Sequence, residues 1–385
     1  MKHIDLETYS DFQCSGGKCP FTCCGGWGIV IDETTAAYYQ SVTGDIGNRL
    51  KRNIHTENGV STFKLDENGD CMFLNKERLC DLVLTLGEEH LCTTCHYFPR
   101  FTFFYGNMRF AGVSVACPEV SGFFLKHSDP LKIYISEDDL ILKDCNKYDQ
   151  DTVQDTLGLL EWTMNLMQDR RLCIRDRIAV LLIMIRQYQD YHDNGRDTGV
   201  LMEIFSEYGN VLGIVQQAFA NSRDYDTKID FCSAVMGYYK QIEDFAGHLP
   251  ELSQLVEYYS DDANTEIQIS RWNRVYEWIY SDSEMTWQEH LLVYELFRYL
   301  MNAVPDGDYY GQVAMGITVI YGLILSILSL SYLRNGEEPD DDHKMMIISR
   351  VSRLVEHDGN FRRLAFQHFK EGGMTDLPYL LKLIS

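Results

Sequence analysis

Cys14-Ser15-Gly16-Gly17-Lys18-Cys19-Pro20-Phe21-Thr22-Cys23-Cys24-Gly25-Gly26-Trp27-Gly28 sets four thiols within eleven residues, with glycines between and after them. The glycines let the backbone fold around a small centre with its amides turned toward anionic sulfur. Cys23 and Cys24 are adjacent, and neighbouring side chains alternate faces along a regular strand. A turn, or two separate roles, is therefore implied at that dipeptide.

The stretch belongs to a wider skew. Nine of the twelve cysteines, Cys14, Cys19, Cys23, Cys24, Cys71, Cys80, Cys92, Cys95 and Cys117, fall within the first 117 residues, and only Cys145, Cys173 and Cys232 follow. Lone buried cysteines behave as small hydrophobes and should scatter with the apolar residues, so something local requires sulfur. A disulfide framework is the structural alternative. The first residues, Met1 to Phe12, lack the basic start and apolar centre of a secretory signal, so a cytoplasmic protein with free thiols is expected. Cys92 and Cys95 have the two-residue gap common to zinc and iron-sulfur sites, and Cys117 precedes Pro118 as where a ligand ends a loop and a helix begins. Nine thiols exceed the four that one zinc ion or one cluster needs, so some pack, support or serve a second site. Ligand count does not separate zinc from iron-sulfur. His55, His90 and His96 are candidates for a mixed zinc site, although His96, directly after Cys95, is read as a bystander.

Composition narrows the function. Of 385 residues 45% are hydrophobic, enough for one large core or two smaller ones. Against 34 Lys and Arg stand 57 Asp and Glu, a formal charge of −23 with no basic block, which argues against nucleic acid. An acidic surface suits solubility and would also attract lysine-bearing partners. No Gly-x-Gly-x-x-Gly follows a strand and no Walker-type loop is present, so there is no Rossmann-type nucleotide fingerprint. His-Glu-x-x-His and Gly-x-Ser-x-Gly are absent as well, and Cys19, Cys23 and Cys24 do not have the three-cysteine spacing of radical S-adenosylmethionine enzymes. The aromatic residues at helical spacing are read as core.

The expected fold is mainly α, with a small α+β cysteine-rich region with short strands over 1–125 and a helical domain over 126–385. Gly28 to Asp32 reads as a short strand end, and Asp32 or Thr34 as the cap of a helix through Ala36 to Tyr39. Thr62 to Leu65 reads as a strand leading to a turn at Asp66 to Asp70, and Leu79 to Glu89 has helical spacing. Arg100 to Tyr105 and Met108 to Val115, joined by Gly106-Asn107, make a hairpin that delivers Cys95 and Cys117 to one end. From Pro118 onward the pattern is helical, notably Val153 to Gln168, Ile174 to Tyr191, Val200 to Asn221, Ile229 to Phe245 and Trp287 to Met301, with breaks at Asp190 to Gly199 and Asn335 to Asp342. Val313 to Leu333 approaches the length of a membrane span, but Thr318, Tyr321, Ser326, Ser329 and Ser331 dilute it, and a buried core helix is expected instead.

The residues Cys14, Cys19, Thr22-Cys23-Cys24, Gly26-Trp27, Ile31-Asp32, Cys71 to Leu74, Leu79-Cys80, Leu86 to Glu88, Thr94-Cys95, Phe98 to Arg100 and Cys117 to Glu119 resemble, in type and order, the flagellin lysine-N-methylase family. Trp287 to Arg298 and the apolar helix after Pro305 are similar to that family's C-terminal part. The cysteine motifs also resemble a broader group of zinc- or iron-chelating domains. The family resemblance implies an enzyme that uses S-adenosylmethionine as small-molecule methyl donor to methylate lysine side chains of flagellin. It also implies an iron-sulfur cluster, 4Fe-4S, with zinc the alternative. Carried onto this chain, Cys19, Cys23, Cys24 and Cys95 are the first ligand candidates and Cys14, Cys71, Cys80 and Cys117 the next. Cys92 matches no regular position of the pattern. The resemblance identifies neither a catalytic base nor a methyl-donor pocket, and a non-enzymatic metal-binding or redox-sensing protein is the alternative reading.

Overall fold

In Lys2–Leu6 the side chains alternate, and Ile4 and Leu6 turn inward, the period of a strand with one buried face. This is β1 of a computed structural model that describes the chain except for residues 20–21, 26, 58, 141–146, 206, 221–223, 241–264 and 358–360. β1 lies parallel to β6 (Met108–Val113), which is the return strand of a hairpin with β5 (Arg100–Tyr105), and antiparallel to β7 (Ile133–Glu137). The resulting sheet has the order β5-β6-β1-β7. The hairpin turns at Gly106, whose φ of 57° favours glycine, and pairs Arg100 with Val113. Strand β7 corrects the expectation of helix throughout the chain after Pro118, and β6 stops at Val113 rather than Val115. Between β1 and the cysteine loop lies α1 (Glu7–Asp11).

A second, smaller sheet, β2-β4-β3, joins Val30–Ile31, Val60–Phe63 and Ile54–Glu57. With α2 (Glu33–Ser41), α3 (Gly44–Asn53), α4 (Asp81–Leu86) and α5 (Thr93–Tyr97) it encloses a core of Ile29, Ile31, Tyr39, Leu50, Phe63, Phe73 and Leu82. Cys71 and Cys92 are buried in that same core. Asp32 caps α2 as the sequence suggests, its Oδ1 accepting from the Thr35 amide at 2.9 Å.

The larger core joins the first sheet to the helices that follow: α6 (Pro118–Lys126), α7 (Gln150–Met167), α8 (Ile174–Asp193), α9 (Thr198–Phe205), α10 (Gly209–Ala220), α11 (Tyr225–Lys240) and α12 (Thr265–Ile279). It continues through α13 (Asp282–Tyr299), α14 (Tyr309–Asn335), α15 (Asp341–His357), α16 (Phe361–Glu371) and α17 (Leu377–Ile384). The expected helix from Val200 is two helices, α9 and α10, and the end of the Ile229 to Phe245 segment beyond Lys240 lies outside the described residues. Phe103 and Phe110 of the hairpin pack on Phe297 of α13 with ring centroids 6.4 and 6.0 Å apart.

Helix α14 is long and apolar enough to cross a membrane, yet 89% of its most apolar window is buried inside the protein. Three of its hydroxyl side chains are satisfied within the helix, while Tyr310 and Tyr321 donate to Thr375 and Gln288. Thr318, Ser326 and Ser329 donate to the carbonyls four residues earlier at 2.8, 2.7 and 2.6 Å. A π-helical segment, Gly316–Tyr321, interrupts it.

Candidate metal centre

The cysteines sit where short loops meet helix starts. Cys80, Cys92 and Cys117 are the residues immediately before α4, α5 and α6, and Pro118 opens α6 as its position after Cys117 suggests. Each start is locally fixed. Asn75 Oδ1 accepts from the Glu77 and Leu79 amides at 3.0 Å each, closing the turn before Cys80. Asp32 Oδ2 accepts from the Thr93 amide at 2.9 Å and its hydroxyl at 3.0 Å, so one carboxylate ties α2 to α5. These bonds, that of the Thr93 amide foremost, hold Asp32 well below the usual carboxylate range. At the hairpin base the Ser114 amide donates to the Pro99 carbonyl at 2.8 Å, keeping the strands that lead from Cys95 and toward Cys117 side by side.

The N-terminal loop folds onto this frame. Cys23 and Cys24 occupy a turn, with their sulfurs 4.0 Å apart. The Cys71 amide donates to the Cys24 carbonyl, and Gly25 bridges Asp70. A Cβ at position 25 would lie 2.3 Å from Asp70 Oδ1 and 3.2 Å from the Gly69 carbonyl oxygen, so a side chain there would have to displace Asp70. Cys14 is exposed, and its sulfur accepts from the Gly16 amide at 3.3 Å.

The thiols lie within electrostatic reach of one another. A hydrogen bond from the Cys24 thiol brings Cys23 down to about 7, with the charge of Arg353 acting in the same sense, and the same bond pushes Cys24 up. The Cys95 thiol likewise lowers Cys92 while Cys95 rises. Burial pushes Cys71 up to about 11, Cys80 upward, and Cys117 up to about 12. Cys24 senses Cys80 and Cys71, Cys95 senses Cys24 and Cys71, and Cys117 senses Cys19 and Cys23. Cys24 thus neighbours Cys71, Cys80 and Cys95, and Cys117 neighbours Cys19 and Cys23, with the adjacent Cys23 and Cys24 linking the two sets.

Arg353 of α15 lies beside Cys19, Cys23 and Cys117. Its guanidinium is buried and donates through Nη1 to the carbonyls of Thr22 and Gly25, at 2.9 Å each, and through Nη2 to that of Ala116 at 3.4 Å. The Nε is buried without a partner among the described residues. Burial pulls Arg353 below its ordinary value while Cys23, Cys117 and Cys19 pull it back. A cation held there suits thiolates or an anionic centre. No sequence pattern pointed to it, because its partners are a loop and a helix start far away along the chain.

Chemically the donor set fits a thiophilic metal or cluster. All eleven described cysteines are free, and Cys145 lies outside the described residues. As the side chains stand, no group of three or more His, Cys, Asp or Glu among the described residues is close-set enough to hold a metal ion. His90 stacks on Tyr38 at 4.6 Å and His96 lies edge-on to Tyr97, apart from any ligand set, while Cys232 lines an apolar cavity between α11, α12 and α14.

Comparison with known proteins locates the chain. No solved structure matches it. The protein called Lysine-N-methylase in Salmonella choleraesuis (strain SC-B67) is 35% identical over 158 residues, 38% of each chain. That of Salmonella typhimurium is 35% identical over 144 residues, 35% of each. Flagellar biosynthetic protein FliU of Salmonella muenchen is 34% identical over 145 residues, 34% of this chain and 84% of that one. The matches thus span less than two-fifths of the two lysine-N-methylases. The model of the FliB lysine N-methylase C-terminal domain matches residues 161–383, beginning after the last of the nine clustered cysteines and containing Trp287 to Arg298. By that match over more than half its length, the chain belongs to the FliB lysine N-methylase family.

Proposed function

We propose that the protein is a protein-lysine N-methyltransferase that transfers the methyl group of S-adenosylmethionine to lysines of flagellin in the cytoplasm, and that its N-terminal cysteines hold an iron-sulfur cluster. The family match carries the methylase reading, and the name of FliU carries the flagellar context. The approach of Cys19, Cys23 and Cys117 to Arg353, and of Cys24 to Cys71, Cys80 and Cys95, supports the cluster. Ligands are drawn from Cys14, Cys19, Cys23, Cys24, Cys71, Cys80, Cys95 and Cys117. Bound there, the cluster would cross-link the N-terminal loop to α4, α5 and α6.

In the transfer, a neutral lysine nitrogen attacks the sulfonium methyl, forming the N–CH3 bond as the S–CH3 bond breaks and releasing the thioether. Lysine has an ordinary pKa of ~10.4, so its proton must leave before attack, and desolvation or a nearby carboxylate or tyrosine provides that. Donor and acceptor must be held in line.

A second reading, a zinc protein without transferase activity, draws on the 4.0 Å separation of Cys23 and Cys24. Two thiolates on one tetrahedral zinc with Zn–S of ~2.3 Å lie about 3.8 Å apart. Anaerobically purified protein, incubated with methyl-labelled S-adenosylmethionine and flagellin, separates the readings. Label on flagellin lysines is expected, and a metal-replete protein that transfers none would sink the enzyme reading.

A further inference from the structure

A groove of about 560 Å3 opens between α1, α6 and the first turn of α15. Its apolar side consists of Phe12, Val120, Phe123 and Met345. Three exposed carboxylates, Asp11, Glu119 and Asp342, border it, and none is ion-paired among the described residues. Lys126 is the single cation of the lining. Such a surface matches a chain that brings both methylenes and positive charge, and it repels an anionic ligand. One buried polar group of the lining is unpaired. Thr8, which lines it, is 6% exposed, and its buried hydroxyl has no hydrogen-bond partner among the described residues. Buried polar groups ordinarily find one.

Position gives the groove a role. Gln13 and Pro118, both in its lining, are the neighbours of Cys14 and Cys117, so two of its walls run directly into the cysteine-bearing segments. We propose that this groove seats a lysine-bearing segment of the protein substrate, with ammonium groups against Asp11, Glu119 and Asp342 and methylenes on Phe12 and Phe123. The assignment rests on the methylase reading and adds to it where the substrate docks.

The test uses the full chain and a fluorescein-labelled dodecapeptide of lysine, serine and valine, read by fluorescence anisotropy. Changing Asp11→Asn, Glu119→Gln and Asp342→Asn together weakens binding about tenfold, in line with exposed charge pairs, and flattens its dependence on salt. Neutralising the remote acids Asp151, Glu161 and Glu277 leaves binding within about twofold. Gly122→Leu fills the groove without changing charge and also weakens binding, since a Cβ there already lies 3.2 Å from Met345 Sδ. Equal binding by the wild type and the groove triple variant, equal losses in the two triple variants, or no binding by the wild type overturns the proposal. Methyl transfer to flagellin is measured on the same proteins. Groove-dependent binding without transfer defeats the methylase reading alone, whereas transfer with a KM unaffected by the groove variants defeats the docking site alone.

Discussion

Arg353 reaches 331 residues back along the chain to the carbonyl of Thr22, and its three acceptors all belong to segments that carry cysteines. Arg353→Met leaves those carbonyls without a donor, and the expected cost is on the order of 3 kcal/mol, seen as a lower denaturant midpoint together with a smaller metal-loaded fraction. Arg353→Lys is expected to recover only part of both, because one ammonium cannot reproduce a planar fork of donors. An unchanged midpoint and metal content in Arg353→Met would remove the residue from the site. The contrast with Asp32 shows what a sequence discloses about single residues. A helix cap is a local pattern, three residues wide, and Asp32 is where that pattern places it. Its second role, holding Thr93, and the role of Arg353 depend on chain closure and leave no local trace.

Helix α13 shows the same division at the scale of an element. Trp287 to Arg298 reads as a helix, yet its burial on nearly every side does not follow from periodicity, because Glu284, Gln288, Glu289, His290 and Glu295 are all buried. Most of these groups are met from another element, although Glu295 Oε1 has no partner among the described residues. Glu284 pairs with Lys344 at 2.6 Å, Glu289 with Arg177 at 2.7 Å, and Arg298 with Glu356 at 2.7 Å, while both ring nitrogens of His290 lie 3.0 Å from the carbonyls of Phe124 and Asp129. Glu289→Ala strands the buried Arg177 and is expected to cost about 3–5 kcal/mol in denaturant unfolding. Glu295 gives the helix a pH signature. Burial raises its pKa to about 7, against the pull of Arg362 and with the push of Glu356. The folded state therefore binds more protons than the unfolded state between the ordinary carboxylate range and pH 7, and stability falls as pH rises through that window. Glu295→Gln is expected to flatten this slope, measured by unfolding at a series of pH values; an unaltered slope would assign the dependence to another group.

At the scale of the whole molecule, the mainly helical class and the small mixed N-terminal region were legible from periodicity and turn residues, as was the β5-β6 hairpin. Strands β1 and β7 were not. β1 pairs on both sides with residues more than a hundred positions away, so neither its place inside the sheet nor β7 at the edge is announced by a nearby turn. The clustering of cysteines and the spacing of Cys92 and Cys95 were visible in the sequence, whereas the approach of Cys24 to Cys71 and Cys80, and of Cys117 to Cys19 and Cys23, required the fold. The placement of α14 carries its own expectation: with Thr318, Ser326 and Ser329 bonded within the helix, Tyr321 bonded to Gln288 and its apolar faces covered, the protein stays in the supernatant after ultracentrifugation without detergent. The central claim is that sulfur atoms from separate stretches grip an inorganic centre, and metal and labile-sulfide analysis of anaerobically purified full-length protein, with its visible spectrum, tests it most directly. The account predicts iron and sulfide with a broad visible absorption that is lost in Cys23→Ser and in Cys95→Ser. A colourless, metal-free protein whose clustered thiols all react with a thiol reagent would contradict it.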